Sequence, residues 1–372
     1  MSSLVIRPVR TRREQKAFIR FQWTVNGANP LWVPPLLHDR RKLLDRKKNP
    51  FYRHAEMELF LAEREGRIEG RVAAVVNRNH NREHGDRTGF FGFFECLDDR
   101  RTAGALLDAA AGWLRDRGMD TIRGPASPSV NDEYGLLVDG FDRLPAVLMP
   151  YNPPSYAALL EGWGLARARD LYAYEVRGDR AMTEKLVRVS EAVKRREGLV
   201  FRSLNMRDFD GEVDRIRDLY NRAWEGNWGE VPMTEEEFRY AAGDLKAIVN
   251  PDLVVIAEAK GVPVGFGMSL PDLNQVLKDN RGGYLLPGLL RLALFRKRIN
   301  AVRIVILGVV PQARNSGVGG VLFYETARRA IAAGCPQGEA SWVLEDNVMM
   351  NRGAELLQGT RTKTYRVYER KL

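Results

Sequence analysis

Val302-Arg303-Ile304-Val305-Ile306-Leu307-Gly308-Val309-Val310-Pro311-Gln312-Ala313-Arg314-Asn315-Ser316-Gly317-Val318-Gly319-Gly320-Val321-Leu322-Phe323 reads in three parts. Residues 303–310 are an apolar, β-branched run that suits a buried strand. Pro311 ends the ladder because it has no N–H to donate. Residues 312–320 form a polar, glycine-rich turn, and from Val318 the apolar positions take helical spacing. Strand, glycine-rich turn and helix make an anion cradle. The turn's N–H groups and the helix N-terminus converge on one point, where the dipole favours negative charge. Gly317, Gly319 and Gly320 let a phosphate approach the backbone, and Arg314 adds a cation at the mouth.

Working outward, one phrase occurs twice. Leu59 to Arg64, a turn at Glu65-Gly66 and Arg67 to Val75 form a hairpin. Val255 to Ala259, a turn at Lys260-Gly261 and Val262 to Met268 repeat it. Ala62, Glu63, Gly66 and Gly70 match Ala257, Glu258, Gly261 and Gly265 at one offset, 258 − 63 = 195. The chain is therefore read as a tandem duplication. Phe90 to Cys96 is the strand corresponding to 303–310, and Ala103 to Asp116 the helix corresponding to 319–332. Asn131 and Asn347 each follow the next strand. The expected division is an N-terminal copy at 1–178, a polar linker helix at 179–198 ending at Gly198, and a C-terminal copy at 199–372. Copy one's loop, Leu97-Asp98-Asp99-Arg100-Arg101-Thr102-Ala103-Gly104, has no Gly-x-Gly. Its two carboxylates would repel a pyrophosphate.

The Arg314-x-x-Gly317-x-Gly319 spacing is neither the dinucleotide fingerprint nor the nucleoside-triphosphate loop. It resembles the pyrophosphate loop of the GCN5-related N-acetyltransferase (GNAT) superfamily. The resemblance implies an α/β fold, a mixed sheet with helices on both faces, here as two GNAT-like domains in tandem. It also implies acetyl-CoA or a longer acyl-CoA as donor. Leu307 and Val309 would lie beside the pantetheine arm. Arg314, Asn315, Ser316, Gly317, Val318, Gly319 and Gly320 would hold the pyrophosphate, and Asn347, after the next strand, would also contact the cofactor. The family's tyrosine acid, seven residues past the asparagine, is replaced by Ala354. Tyr365 and Tyr368 on the last strand are either substitutes for it or ordinary strand residues.

The proton acceptors to consider are Glu258 on the hairpin, Glu230 in the tryptophan-rich loop and Glu95 on the copy-one strand. Trp224 and Trp228, four apart, either share a substrate-facing side of a helix or pack into the core. Copy one carries a second unusual stretch, Gly124 to Gly135 and Met149 to Tyr156, dense in proline, aromatic and small polar residues. With an acceptor site between the copies, Asn131, Glu133 and Tyr151 are its candidates. The segment 284–298 is apolar, then basic. A helix from about Pro287 suits peripheral membrane contact, a lid over an acyl chain, or a buried helix whose basic end complements its dipole. Tandem GNAT proteins with these features resemble the bacterial ceramide-synthase type of acyltransferase, and a small-molecule or lipid amine is the acceptor this implies. The alternatives are a transfer-RNA-dependent peptidyl transferase of the Fem type and a non-catalytic acyl-CoA- or membrane-binding module. The Gly-x-Gly loop argues against the first, and a nucleic acid partner is not expected.

Composition sets the outer bounds. The 372 residues suffice for two cores, and 44% hydrophobic with 28% charged residues is a globular balance. A net charge of +10 favours an anionic partner. Cys96 and Cys335 imply no disulfide framework, and with no signal-like N-terminus or long apolar run the expected location is cytoplasmic, with association at the inner membrane face an option. His80 and His84 lie in Asn77-Arg78-Asn79-His80-Asn81-Arg82-Glu83-His84, read as an exposed turn, so no metal site is expected. Trp32, between Pro30 and Pro35, is read as an exposed aromatic in an extended loop.

Overall fold

Alternating and β-branched stretches become strands, and 3.6-period stretches become helices packed on them. The computed structural model describes residues 3–372. The first copy runs β1 (Val5–Pro8), α1 (Arg12–Asn26), α2 (Leu37–Leu43), β2 (Ala55–Arg64), β3 (Arg67–Asn77), α3 (Arg78–His84), β4 (Thr88–Cys96), α4 (Arg100–Arg115), β5 (Thr121–Gly124), β6 (Ala126–Ser127), β7 (Glu133–Tyr134), β8 (Leu136–Asp139), α5 (Tyr156–Gly162) and β9 (Ala166–Arg177). The second continues with α6 (Gly178–Ala181), α7 (Glu184–Glu197), β10 (Leu199–Ser203), α8 (Phe209–Trp224), α9 (Glu235–Leu245), β11 (Val254–Ala259), β12 (Val262–Pro271), α10 (Asn274–Leu277), α11 (Leu285–Phe295), β13 (Ala301–Val309), α12 (Val318–Ala332), β14 (Gln337–Leu344), α13 (Val348–Leu356) and β15 (Thr360–Lys371).

The chain divides into two units that are not contiguous in sequence. The first comprises the chain up to Asp170 with Val276–Leu294 and Thr364–Leu372, and the second Leu171–Gln275 with Phe295–Lys363. In the first, the order is β1-β2-β3-β4-β5, followed by the C-terminal part of β15, which pairs Tyr368 with Gly124 and Lys371 with Thr121. In the second, the order is β10-β11-β12-β13-β14, followed by the end of β9, which pairs Arg177 with Gln337. Pairings within each sheet are antiparallel except β4–β5 and β13–β14, which are parallel and joined through α4 and α12. This is a mixed α/β sheet in each unit.

In the first unit α4 lays Leu106, Leu107 and Leu114 on Phe91, Ile122 and Tyr368, all essentially inaccessible to solvent. Burying each such leucine contributes about 1.5–3 kcal/mol. In the second, α12 and α7 cover one face of the sheet through Leu322, Phe323 and Leu186. The other face meets α8 through Leu219, Tyr220, Phe266 and Ile256.

Four local expectations change. The His80 stretch is a helix, α3, capped by Asn77 and ended by left-handed Gly85, and His80 is buried. Trp32 is also buried, edge-on to Trp23 at 5.3 Å. The linker helix is two helices, because Met182 and Thr183 leave helical geometry and Thr183 restarts the chain as the N-cap of α7. The residue in copy one that precedes the helix after the fifth strand is Asn152, ahead of α5. Asn131 lies in an extra loop between β6 and β7.

Candidate active site

The glycine-rich stretch forms as its composition requires. Pro311–Ser316 makes a tight 3-10 turn, and Gly317 takes φ +88°, a left-handed conformation that favours glycine. α12 then starts at Val318 and runs 15 residues, with no acidic residue in its first turn; among the described residues, no side chain caps its N-terminus. The first N–H groups thus have no side-chain cap, at the positive end of the dipole. A Cβ at Gly319 would meet only Val309, at 3.9 Å, so the backbone there is approachable. These residues fit a pyrophosphate. The matching place in copy one is filled from within: the Asp99 carboxylate accepts from the N–H groups of Arg101 and Thr102 at the start of α4. Its hydrogen bond from Thr102, with those N–H groups, holds it below the usual carboxylate range.

Arg314 turns inward. Its Nη2 donates to the Ala223 carbonyl at 3.0 Å, tying the loop to the end of α8 instead of facing the cradle. The cation that does brace the loop from outside is Arg196 on α7, whose Nη2 donates to the Ser316 carbonyl at 2.8 Å. Sequence reasoning missed Arg196, because 120 residues separate the partners and α7 reads as a polar linker. Asn315 is exposed, and the Ser316 hydroxyl donates to Ala313. Leu307 and Val309 turn their side chains to the α12 core. Parallel pairing of β13 with β14 ends at Ile304–Ala340, where the two strands part. Asn347 caps α13, accepting from the Met350 N–H. In copy one the equivalent fork is occupied: Ser127 accepts from the Phe93 N–H at 2.8 Å, and a Cβ on Gly92 would collide with the Ala126 carbonyl.

On the opposite face of β13, Trp224 lies so close over Gly308 that a Cβ there would come within 2.3 Å of its ring. Trp224 stacks on Tyr220 at 4.6 Å. α8 ends at Trp224, so Trp228, in the turn beyond, does not share its helical face. Glu230 is buried in the same loop, and its charge, after burial itself, helps raise the Tyr220 hydroxyl pKa. Glu258 is held by Arg202 at 2.7 Å, and Arg202 also binds Glu212.

The remaining candidates belong to the first unit. Glu95 is buried with Tyr156 (2.8 Å), Asn26 (3.2 Å) and Arg71 (3.7 Å); burial raises its carboxyl pKa and lowers that of the Arg71 guanidinium to about 10. Glu133 pairs with Arg40, and Tyr151 donates to the Phe141 carbonyl. Asn131 is exposed, and Tyr365 is fully buried where β15 pairs with β8. The structure therefore groups the loop, Asn347, Trp224, Glu230 and Glu258 in one unit, and Glu95, Asn131, Glu133, Tyr151 and Tyr365 in the other.

The fold is that of a tandem GNAT protein. A tandem GNAT protein from the clavulanic acid biosynthesis pathway superposes with a TM-score of 0.55 at 13% identity, covering 99% of this chain and 98% of its own. The bacterial ceramide synthase of Caulobacter vibrioides is 38% identical over 385 residues, 100% of this chain and 98% of that protein. Protein YghO of Escherichia coli is 34% identical over 99% of this chain and 95% of its own length. No family profile matches the chain. The protein is an N-acyltransferase of the GNAT class. Within that class, it belongs to the family of the Caulobacter ceramide synthase and YghO.

Proposed function

We propose that the protein transfers a long-chain acyl group from acyl-CoA to the amino group of a lipid amine, with a sphingoid base as the first acceptor to try. The observation that carries the donor half is the open, glycine-lined N-terminus of α12, set against the Asp99-filled start of α4. The acceptor half rests on the ceramide-synthase relative. In the reaction the amine nitrogen attacks the thioester carbonyl carbon, the C–S bond breaks, the amine loses a proton and the thiolate gains one. The α12 N-terminus would hold the pyrophosphate. Glu230, buried beside Tyr220 near the face of β13 that Trp224 covers, is the favoured proton acceptor in this unit. Glu258 is committed to Arg202.

Calorimetry with palmitoyl-CoA and acetyl-CoA tests the donor half, with Gly319→Glu as the control. That site has room for a side chain and would receive a carboxylate in the cradle. Binding of palmitoyl-CoA that falls at least about tenfold in the variant is expected. Equal affinity for both thioesters would redirect the acceptor search to small polar amines. Undiminished binding by the variant would overturn the assignment of the loop.

A further inference from the structure

α11 is turned inside out for a surface helix. At about 100° per residue, Leu286, Leu289, Leu290, Ala293 and Leu294 fall within an arc of about 140°. Every one of them faces solvent: Leu286 is 76% exposed, Leu289 51%, Leu290 60% and Leu294 65%. Gly288, on the opposite side, is the helix's buried residue, lying against Leu36 and Asn280. A surface helix of a globular protein carries its charges on the outward arc, and here that arc is wholly apolar.

The helix is nonetheless firmly mounted on the first unit. The Gly283 carbonyl accepts from Leu37 N–H at 2.8 Å, and the Arg281 carbonyl from the Trp23 indole at 2.7 Å. Arg281 donates to the carbonyls of Gly27, Asn29 and Trp32. Arg20 lies over both Trp23 and Tyr284. The apolar face is held out, and Tyr284, 54% exposed at the helix start, adds an amphipathic ring of the kind that sits at a headgroup boundary.

Charge identifies what covers it. From Asn280 to Asn300 there are five cations (Arg281, Arg291, Arg296, Lys297 and Arg298) and no acidic residue. Three of them directly follow the helix and are exposed. Eleven residues span about 16 Å, half a bilayer's hydrocarbon, so the helix is too short to cross. We propose that α11 is an interfacial anchor that lies in the surface of an anionic phospholipid bilayer, its leucines in the acyl boundary and its basic neighbours on the headgroups. This goes beyond the acyl-transfer reading and does not depend on it.

The test is co-flotation of the full chain with phosphatidylcholine vesicles, with and without about one third phosphatidylglycerol. The wild type is expected to float with the anionic vesicles. Leu286→Ser/Leu290→Ser/Leu294→Ser, at exposed positions where the change is expected to leave the melting temperature intact, is expected to lose at least about tenfold in partitioning. Arg296→Ser/Lys297→Ser/Arg298→Ser is expected to lose the preference for anionic vesicles and the salt sensitivity of binding. A wild type that ignores both vesicles, or a leucine variant that floats equally well, overturns the proposal. So does light scattering that shows a dimer which the leucine variant dissolves, because a second copy then covers the face. A leucine variant that loses palmitoyl-CoA affinity also overturns it, by making α11 an acyl-chain lid. Calorimetry on the wild type and Gly319→Glu reads the acyl-transfer proposal, whereas flotation and the leucine variant read this one, so the two fail independently.

Discussion

His80 shows what a single side chain can hide. Its ring is 1% exposed, 4.4 Å from the His84 ring and edge-on to Phe90 at 4.8 Å, with the Asp86 carboxylate at 3.6 Å. Burial lowers its pKa from 6.5 to about 4, against the opposing pull of Asp86. A base whose folded pKa is depressed binds protons more readily when unfolded. The stability it contributes is therefore full above pH 6.5 and lost as pH falls towards 4. A shift of this size corresponds to about 3 kcal/mol. Urea denaturation at pH 7 and pH 4.5 should show that loss in the wild type and a much smaller one in His80→Leu. Parallel losses in the two proteins would assign the acid sensitivity elsewhere. In the sequence, His80 sits among asparagines and arginines and looks solvated; only its docking on β4 takes it out of water, and that contact is not local.

At the scale of elements, the comparison of α4 with α12 separates what a sequence displays from what it conceals. Strand, loop and helix were legible in both copies, because periodicity and glycine placement are local properties. So was the contrast between a carboxylate-bearing loop and a glycine-bearing one. The direction in which Arg314 points was not, since it depends on a carbonyl at the end of α8, and neither was the bracing of the loop by Arg196. The proposed asymmetry predicts opposite behaviour for the two helix starts. Asp99→Ala removes a cap from α4 and should lower stability by about 1 kcal/mol, measured by thermal melting. It should leave acyl-CoA affinity within about twofold of wild type, since an N-cap loss acts on helix stability alone. A large drop in affinity would mean that copy one takes part in donor binding. Gly319→Glu should do the reverse, sparing stability and removing affinity.

For the whole molecule, the duplication is plain in the recurring hairpin, yet the strand that completes each sheet is not the one its position in the chain suggests. In the first unit the chain's last nine residues pair beside β5, and in the second the end of β9 pairs beside β14. A repeat reveals its period in the sequence. Which copy's final strand pairs with which fifth strand is a long-range choice that periodicity does not record. The consequence is that the extreme C-terminus stabilises the first unit. Val367 and Tyr368 are fully buried there, and the Tyr368 hydroxyl donates to Glu161 at 3.0 Å. Tyr368→Ala should cost about 3–5 kcal/mol, as deletion of a buried aromatic generally does. Hydrogen exchange decides where that loss falls. The amides of β5 and β8, which pair with β15, should lose protection in the variant, while those of β11, β12 and β13 keep theirs. If protection fell first in the second unit, the C-terminal strand would be completing its own copy's sheet in solution, and the exchange would be wrong.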